Sequence, residues 1–189
     1  MGKTWLQTLE NRKLEPLALS TEMVGGVKEI AHALAGKIRF TGLTDKRYTV
    51  AEHCVRGSRL LPPVFAGAFL LHELSEVYLP DIASPLKPYL FVRREGATEP
   101  WAELERQHTR VILDALGLAS IEPLIYSTEV KTMDLAMLAA EKAQLCGPEP
   151  EPWGLTVPAA NVDLSDTWTP HEATIQFIGQ FRYLFTVED

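Results

Sequence analysis

A chain of 189 residues with 46% apolar content is long enough to bury one core and short enough to form a single domain. Its formal net charge of -7 argues against a protein that binds nucleic-acid polymers or membrane surfaces, because acidic residues outnumber the basic ones that would neutralise phosphates. No run of 18 apolar residues occurs, the N-terminus lacks the apolar core of a signal peptide, and neither Cys54 nor Cys146 has a partner at zinc-ligand spacing. We therefore expect a cytoplasmic domain with reduced thiols.

The first 36 residues combine an irregular segment with a short helix. Residues 1–26 show no clear period and are interrupted by Pro16 and by Gly25-Gly26, which predicts a strap or short hairpin on the surface. From Val27 to Ala35 the spacing of apolar residues predicts a helix, and Gly36 ends it.

The stretch from Tyr48 to Lys87 contains two apolar helical patterns interrupted by imidazole and carboxylate side chains. Thr49 and Glu52 have the spacing of a capping box, so one helix begins near Val50 and carries His53 in its first turn. Pro62-Pro63 starts a second pattern, Val64 to Leu79, which has the length of a largely buried helix and stops at Pro80. Little slack separates the two helices, so antiparallel packing would bring His53 toward the polar residues of the second.

Those polar residues are His72, Glu73 and Glu76. On the predicted helix His72 and Glu76 share one face, and Glu73 points about 100° away from His72, which still lets both side chains meet one ion. A buried carboxylate is costly unless a cation or a hydrogen-bonding partner compensates it. For each residue alone the simpler interpretation is a core histidine or a solvent-facing glutamate. Together with His53, the group favours a metal site.

Two longer helices are predicted in the second half of the chain. The first runs from Thr98 to Leu116 and stops at Gly117. Its apolar side is formed by Trp101, Leu104, Val111, Ile112 and Ala115. His108 lies on the same side, where it is either a core histidine or a residue that supports the site. The second, Pro123 to Leu145, carries on one face Val130, Asp134, Met137, Leu138, Glu141 and Leu145. An aspartate in the middle of an apolar stripe needs a cationic partner, which independently supports Asp134 as a metal ligand.

Residues 147–168 are rich in proline and acidic residues, which predicts an extended loop with Trp153 and Trp168 as anchors. Thr169 and Glu172 form another capping-box pattern, and Pro170 takes the first position of a C-terminal helix predicted over residues 170–186. On this helix we expect an exposed His171 and an inward face formed by Ile175, Ile178, Phe181 and Phe185.

A second metal hypothesis comes from the spacing Glu-x-x-His, which is typical of di-iron four-helix bundles. Two pairs have it, Glu29 with His32 and Glu105 with His108, and Glu76 and Glu141 are available as the two additional glutamates. The spacing is short and common, and this interpretation leaves His53, His72 and Asp134 without a role.

The chain resembles the HD-domain metal-dependent phosphohydrolases, in particular the small bacterial and phage proteins related to the 5'-deoxynucleotidase and the viral dATP triphosphohydrolase. The resemblance covers roughly residues 30–145 and is carried by IAHALAGKIRF (30–40), YTVAEHCV (48–55), LLHELSEVYLPDIASPLK (70–87) and VKTMDLAMLAAE (130–141). It implies an all-α, single-domain helical bundle with its core over about 27–146. It further implies that His53, His72, Glu73 and Asp134 hold a divalent metal ion, that Glu76 and Asp81 take part in catalysis, and that Arg39, Phe40 and Lys87 border the substrate.

The implied substrate is a small nucleotide, most simply a deoxynucleotide, and the implied metal is Co, Mn, Zn, Mg or Fe. Arg39 suits the phosphate because a guanidinium presents a planar fork of donors, although a solvated loop arginine is the simpler alternative, and Lys87 is the weaker candidate. Glu76 would orient or deprotonate a metal-bound water. We also expect a homo-oligomer.

Two residues depart from the family's pattern. The defining pair is His-Asp, whereas this chain has His72-Glu73, and Phe40 stands where the related nucleotidases carry tryptophan. The additional methylene of Glu73 shifts the reach of its carboxylate, and the different ring at residue 40 bears on the choice of substrate. A protein that binds metal or nucleotide without turnover therefore stays an alternative to the enzyme.

Overall fold

The computed structural model of the protein describes residues 5–94 and 96–185. Over these ranges the chain is mostly helical, which confirms the predicted class at this level; the predicted end of the last helix at residue 186 lies outside the described part. The seven α-helices are α1 (Val27–Ala35), α2 (Val50–Ser58), α3 (Pro63–Leu70), α4 (Trp101–Ala115), α5 (Glu122–Ile125), α6 (Thr128–Leu145) and α7 (Pro170–Phe185). In the described residues no helix is both long and apolar enough to cross a membrane.

In the described part of the chain, two antiparallel hairpins accompany the helices. Strands β1 (Leu6–Gln7) and β2 (Lys13–Leu14) form the short hairpin predicted near the N-terminus. Strands β3 (Phe91–Arg94) and β4 (Ala97–Pro100) were not predicted, and they correct the start of the helix expected from Thr98. Residues 98–100 pair with residues 91–93 instead, so α4 begins only at Trp101.

The core lies where α7 packs against α1, α2 and α3. The capping box of the last helix is confirmed, because Thr169 and Glu172 bond each other reciprocally. At the start of α2 only half of the predicted box forms: Thr49 Oγ1 accepts the Glu52 N–H at 3.1 Å, whereas the Glu52 carboxylate accepts from Arg56 and from the Trp168 N–H. The inward face expected for the last helix is wrong in one position, because Ile175 is 55% exposed. Ala173 and Phe177 are fully buried instead, and Ile175 lies two residues, or about 200° of helical rotation, from each of them. For the same reason of helical phase, Ala115 is exposed on α4, whereas Leu113 is buried.

The predicted helix from Val64 to Leu79 is interrupted, which is the largest correction to the local structure. Helix α3 ends at Leu70, a turn carries residues 71–73, and a short 3-10 helix follows at Leu74–Val77. The His72 ring turns back and hydrogen-bonds the carbonyl oxygen of Phe69. This occurs at the position where the predicted helix would have continued. His72 and Glu76 therefore do not share a helical face, and the turn positions each of them separately.

The predicted helix from Pro123 to Leu145 is also two helices, α5 and α6. Ser127 separates them because its hydroxyl caps α6 by accepting the Val130 N–H at 3.3 Å. After α6, residues 147–168 run as an extended strap with no helix or strand, as predicted. Arg56 of α2 holds the end of this strap through the carbonyls of Asp163 (2.8 Å) and Asp166 (2.7 Å).

Candidate metal centre

Three separate elements bring the predicted metal ligands together. His53 is fully buried on α2, His72 and Glu73 occupy the turn after α3, and Asp134 lies on α6. One donor atom from each of the four residues lies within 4.8 Å of the other three. In the described part of the chain this is the group that could hold a metal ion.

The two histidine rings present the same nitrogen to the centre of this group. His53 Nδ1 lies 2.5 Å from Glu141 Oε1, and His72 Nδ1 lies 2.6 Å from the carbonyl oxygen of Phe69. Because a carbonyl or a carboxylate oxygen can only accept, each Nδ1 carries the proton and donates it. In the neutral form of each ring, Nε2 therefore keeps its lone pair, and a hydrogen bond from the other ring nitrogen is typical of metal-binding histidines.

The spacing of the donor atoms fits a single divalent ion. The Nε2 atoms of His53 and His72 are 3.3 Å apart, and Asp134 Oδ1 lies 3.2 Å from the first and 3.7 Å from the second. A triangle with these three sides has a circumradius of about 2.0 Å, which matches the ~2.0–2.2 Å of nitrogen and oxygen ligands on ions such as zinc. Two facing lone pairs at this distance repel unless a cation or a proton lies between them.

The electrostatics of the group also favour a positive charge. Burial alone would lower the pKa of His72, but Glu73 and the hydrogen bond to Asp134 outweigh it and raise the pKa well above its usual value. Partial burial likewise opposes ionisation of Asp134, yet the two histidines hold its pKa far below the usual range. The site therefore binds a proton when no metal ion is present, which is the behaviour expected of a cation site.

Glu141 completes the arrangement and was not predicted as part of it. Its carboxylate is fully buried, with Oε1 on His53 and Oε2 accepting from Arg39 Nε at 3.2 Å and Nη2 at 3.0 Å. Burial raises the pKa of Glu141, but Arg39 and His53 overcome it and lower the pKa to about 2. The available signal was its position seven residues after Asp134, on the same face of α6.

Arg39 reaches the centre from a short 3-10 turn, Arg39–Gly42, whose residues Phe40 and Thr41 have positive φ angles of 55° and 52°. Its backbone N–H donates to the carbonyl of Tyr48 at 2.9 Å, which ties the turn to the start of α2. The guanidinium is 14% exposed and lies 3.7 Å from Glu73 Oε1. The alternative of a solvated loop arginine is therefore wrong.

Glu76 and Asp81 lie next to the four donors and share a cavity with Glu73 and Asp134. Burial, reinforced by the negative charges of Glu73 and Asp81, raises the pKa of Glu76 to about 9. Its Oε2 atom is buried, and no atom of residues 5–94 or 96–185 is its hydrogen-bond partner. Burial also raises the pKa of Asp81. This pair of carboxyls can store a proton close to the candidate metal centre.

The cavity has a volume of about 660 Å³ and is lined by Arg39, Phe40, Glu73, Glu76, Asp81, Lys87 and Asp134, together with apolar side chains. Every residue predicted for catalysis or substrate contact thus lines it. Lys87 is held there by an ion pair with Glu105 Oε1 at 2.9 Å. A larger groove of about 800 Å³, between the first hairpin and α1, contains none of the four donors.

Three residues of the two Glu-x-x-His pairs, Glu29, Glu105 and His108, bond to groups outside the candidate metal centre. Glu29 accepts hydrogen bonds from the hydroxyl of Tyr78 and the backbone N–H of Glu10, both at 2.8 Å. His108 Nε2 lies 2.7 Å from the carbonyl oxygen of Pro16, so this ring joins the N-terminal segment to α4 as a core histidine. Neither Glu-x-x-His pair contributes to the group of four donors.

Comparison with known proteins identifies a relative but does not assign the chain to a family. No protein-family model matches the chain. Over 119 residues the chain is 36% identical to a protein of Escherichia coli (strain K12) named "Uncharacterized protein YfdR". The aligned stretch covers 63% of this chain and 60% of the relative, and the relative's name assigns no activity.

Proposed function

We propose that the chain is an HD-type metal-dependent phosphohydrolase that acts on small nucleotides, with deoxynucleotides as the first candidates. The observation that carries the proposal is the convergence of two Nε2 lone pairs and two carboxylates beside a cavity that also contains Arg39 and Lys87. A donor set of this kind suits a divalent ion, and neighbouring cations suit a phosphate group. The resemblance of the four sequence segments to the HD family supplies the choice of reaction.

His53, His72 and Asp134 would hold the ion, and Glu73 would complete the set from the adjacent turn. A bound divalent ion of the Mn, Co, Fe, Zn or Mg type supplies Lewis-acid chemistry and makes a bound water more acidic. The protein's part is to keep both imidazoles in the tautomer that leaves Nε2 free. Glu141 and the Phe69 carbonyl do this through the two Nδ1 hydrogen bonds.

Glu76 is the residue best suited to accept a proton. With no metal ion in the donor group its pKa is about 9 even beside Lys87 and Arg39, so it is protonated at neutral pH. A positive charge in the donor group favours the carboxylate form and brings the pKa toward neutrality, where a general base works well. Its Oε2 atom, which has no hydrogen-bond partner among the described residues, would take the proton.

Arg39 and Lys87 would offset the charge of the phosphate. The Arg39 guanidinium is oriented by its two bonds to Glu141, which leaves Nη1 on the side of Glu73. Lys87 is tethered by Glu105 at the cavity lining. Two oriented cations match a phosphate monoester or the terminal phosphate of a triphosphate, so both substrate types belong in the test.

The test is phosphate and triphosphate release from the mono- and triphosphates of all common nucleosides, deoxy and ribo, with Mn, Co, Zn, Mg or Fe supplied. We expect turnover with the parent protein and with His108→Ala, and none with His72→Ala. Metal binding without release of phosphate or triphosphate from any nucleotide would replace the enzyme by the binding-protein alternative.

A further inference from the structure

Trp153 lies on the strap of residues 147–168 and lines the cavity of the candidate metal centre. Its ring is 45% exposed, and its centroid is 6.3 Å from that of Phe40 with the planes tilted by 47°. A tryptophan with much of its surface open to a polar cavity has apolar area that a ligand can cover. Neither the proposed metal chemistry nor the phosphate contacts use this ring.

The ring is held in place by helix α6. Lys142 lies 5.9 Å from the centroid of the Trp153 ring and forms an ion pair with Glu149, which precedes the tryptophan on the strap. Further along, the strap is fixed to the same helix by the Ala160 N–H on the carbonyl of Ala136 at 2.8 Å. The part of the strap that carries Trp153 is therefore attached on both sides to the helix that supplies Asp134.

The aromatic side of the cavity adjoins its cationic side. The guanidinium carbon of Arg39 lies 5.6 Å from the centroid of Phe40, and Phe40 in turn contacts Trp153. Leu138 and Leu155 extend this apolar part of the lining. The cavity thus offers an anion site beside an aromatic surface, which fits a ligand that has a phosphate at one end and a flat ring system at the other.

We propose that Trp153, with Phe40, forms the binding surface for the base of a nucleotide. This assignment rests on the proposed function, because the phosphate end is taken to lie at Arg39. It makes Trp153 a specificity-determining residue: the protein would select phosphate esters that carry a planar heteroaromatic group over sugar phosphates of the same charge. Stacking on an aromatic side chain tolerates different bases, so we expect a preference for ligands that carry any base over ligands that carry none.

The test compares two ligands that cannot be hydrolysed, the 5'-phosphonate of deoxyadenosine and the corresponding phosphonate of deoxyribose, by calorimetry with Mn²⁺ present. We expect the parent protein to prefer the first by about tenfold or more, and Trp153→Ala to lose most of that preference without weakening the second ligand. Trp153→Phe should keep most of it. The matched control is Tyr183→Ala, which removes an aromatic ring that is 81% exposed on α7 and outside the cavity lining.

The outcomes separate this assignment from the proposed reaction. An equal preference in the parent and in Trp153→Ala, or no preference in the parent, would overturn the role of Trp153 even if nucleotides are hydrolysed. A preference that depends on Trp153 in a protein that hydrolyses no nucleotide would support the base site and reject the phosphohydrolase. Loss of binding for both phosphonates in Trp153→Ala would show a general effect on the cavity and also contradict the assignment.

Discussion

Glu141 and His53 are 88 residues apart in the chain, yet Glu141 Oε1 lies 2.5 Å from His53 Nδ1 and both side chains are fully buried. This hydrogen bond determines which nitrogen of His53 faces the other metal donors. The remaining oxygen of Glu141 orients Arg39. One buried carboxylate thereby links the candidate metal centre to the residue proposed for phosphate.

Glu141→Gln should lower metal affinity about 10–100-fold, because a neutral amide supports the His53 imidazole less well than a carboxylate does. The amide is similar in size, so helix content should be unchanged. Titration with Mn²⁺ or Co²⁺ followed by calorimetry measures the effect, and Glu129→Gln, an exposed glutamate on the same helix, is the control. Parent-like affinity in Glu141→Gln would remove the carboxylate from the metal centre.

His72→Ala and Asp134→Ala should each reduce bound metal from about one ion per chain to nearly none, because each removes a donor from the set that fits one ion. Elemental analysis after dialysis measures the content. Helix content should change little, since His72 lies in a turn and the Asp134 side chain is 40% exposed. His32→Ala and His108→Ala are the controls, and loss of metal in these two variants would favour the di-iron hypothesis.

Glu73→Gln should lower metal affinity at least about tenfold, because an amide replaces an anion 3.6 Å from His72 Nε2. Glu73→Asp keeps the charge and should keep binding. Glu76→Gln should show the opposite pattern, with metal retained and turnover lost, since its proposed role is to accept a proton. Metal affinity and phosphate release, measured in parallel for the three variants, test these expectations. Parent-like metal affinity in Glu73→Gln would mean that another acid, such as Asp81, completes the donor set.

Stability of the metal-free protein should depend on pH through Glu76. The pKa of Glu76 is about 9 in the folded chain and near 4.5 in the unfolded chain. At a pH between these two values, the folded state therefore holds a proton that the unfolded state has lost. The free energy of unfolding should therefore fall as pH rises, by at most about 1.4 kcal/mol per pH unit from this group. Denaturant unfolding between about pH 6 and pH 8 should show a shallower slope in Glu76→Gln than in the parent and in Glu129→Gln, and the raised pKa of His72 accounts for the slope that remains. Equal slopes in the parent and in Glu76→Gln would contradict the raised pKa.

Much of the local structure was predictable because it depends on residues three or four positions apart. The capping residues Thr49 and Thr169 start α2 and α7 where predicted, since each bond joins a side chain to a backbone N–H within the same turn. The identity of the four donors was predictable for a different reason. Charged and imidazole side chains in apolar helical patterns require compensation, which indicated a metal site, and the resemblance to the HD family selected His53, His72, Glu73 and Asp134 as its donors.

The helical class and most of the helix limits therefore follow from the sequence alone, and the donors of the candidate metal centre follow from it together with the resemblance to the HD family. The packing of the helices was needed to show that the chain leaves the helix after Leu70, that Glu141 orients His53, and that Trp153 reaches the cavity. Each of these depends on contacts between distant segments, such as the 102 residues that separate Arg39 from Glu141. Periodicity reports which face of one helix is apolar, but the partner of a buried side chain is set by how that helix packs against the others.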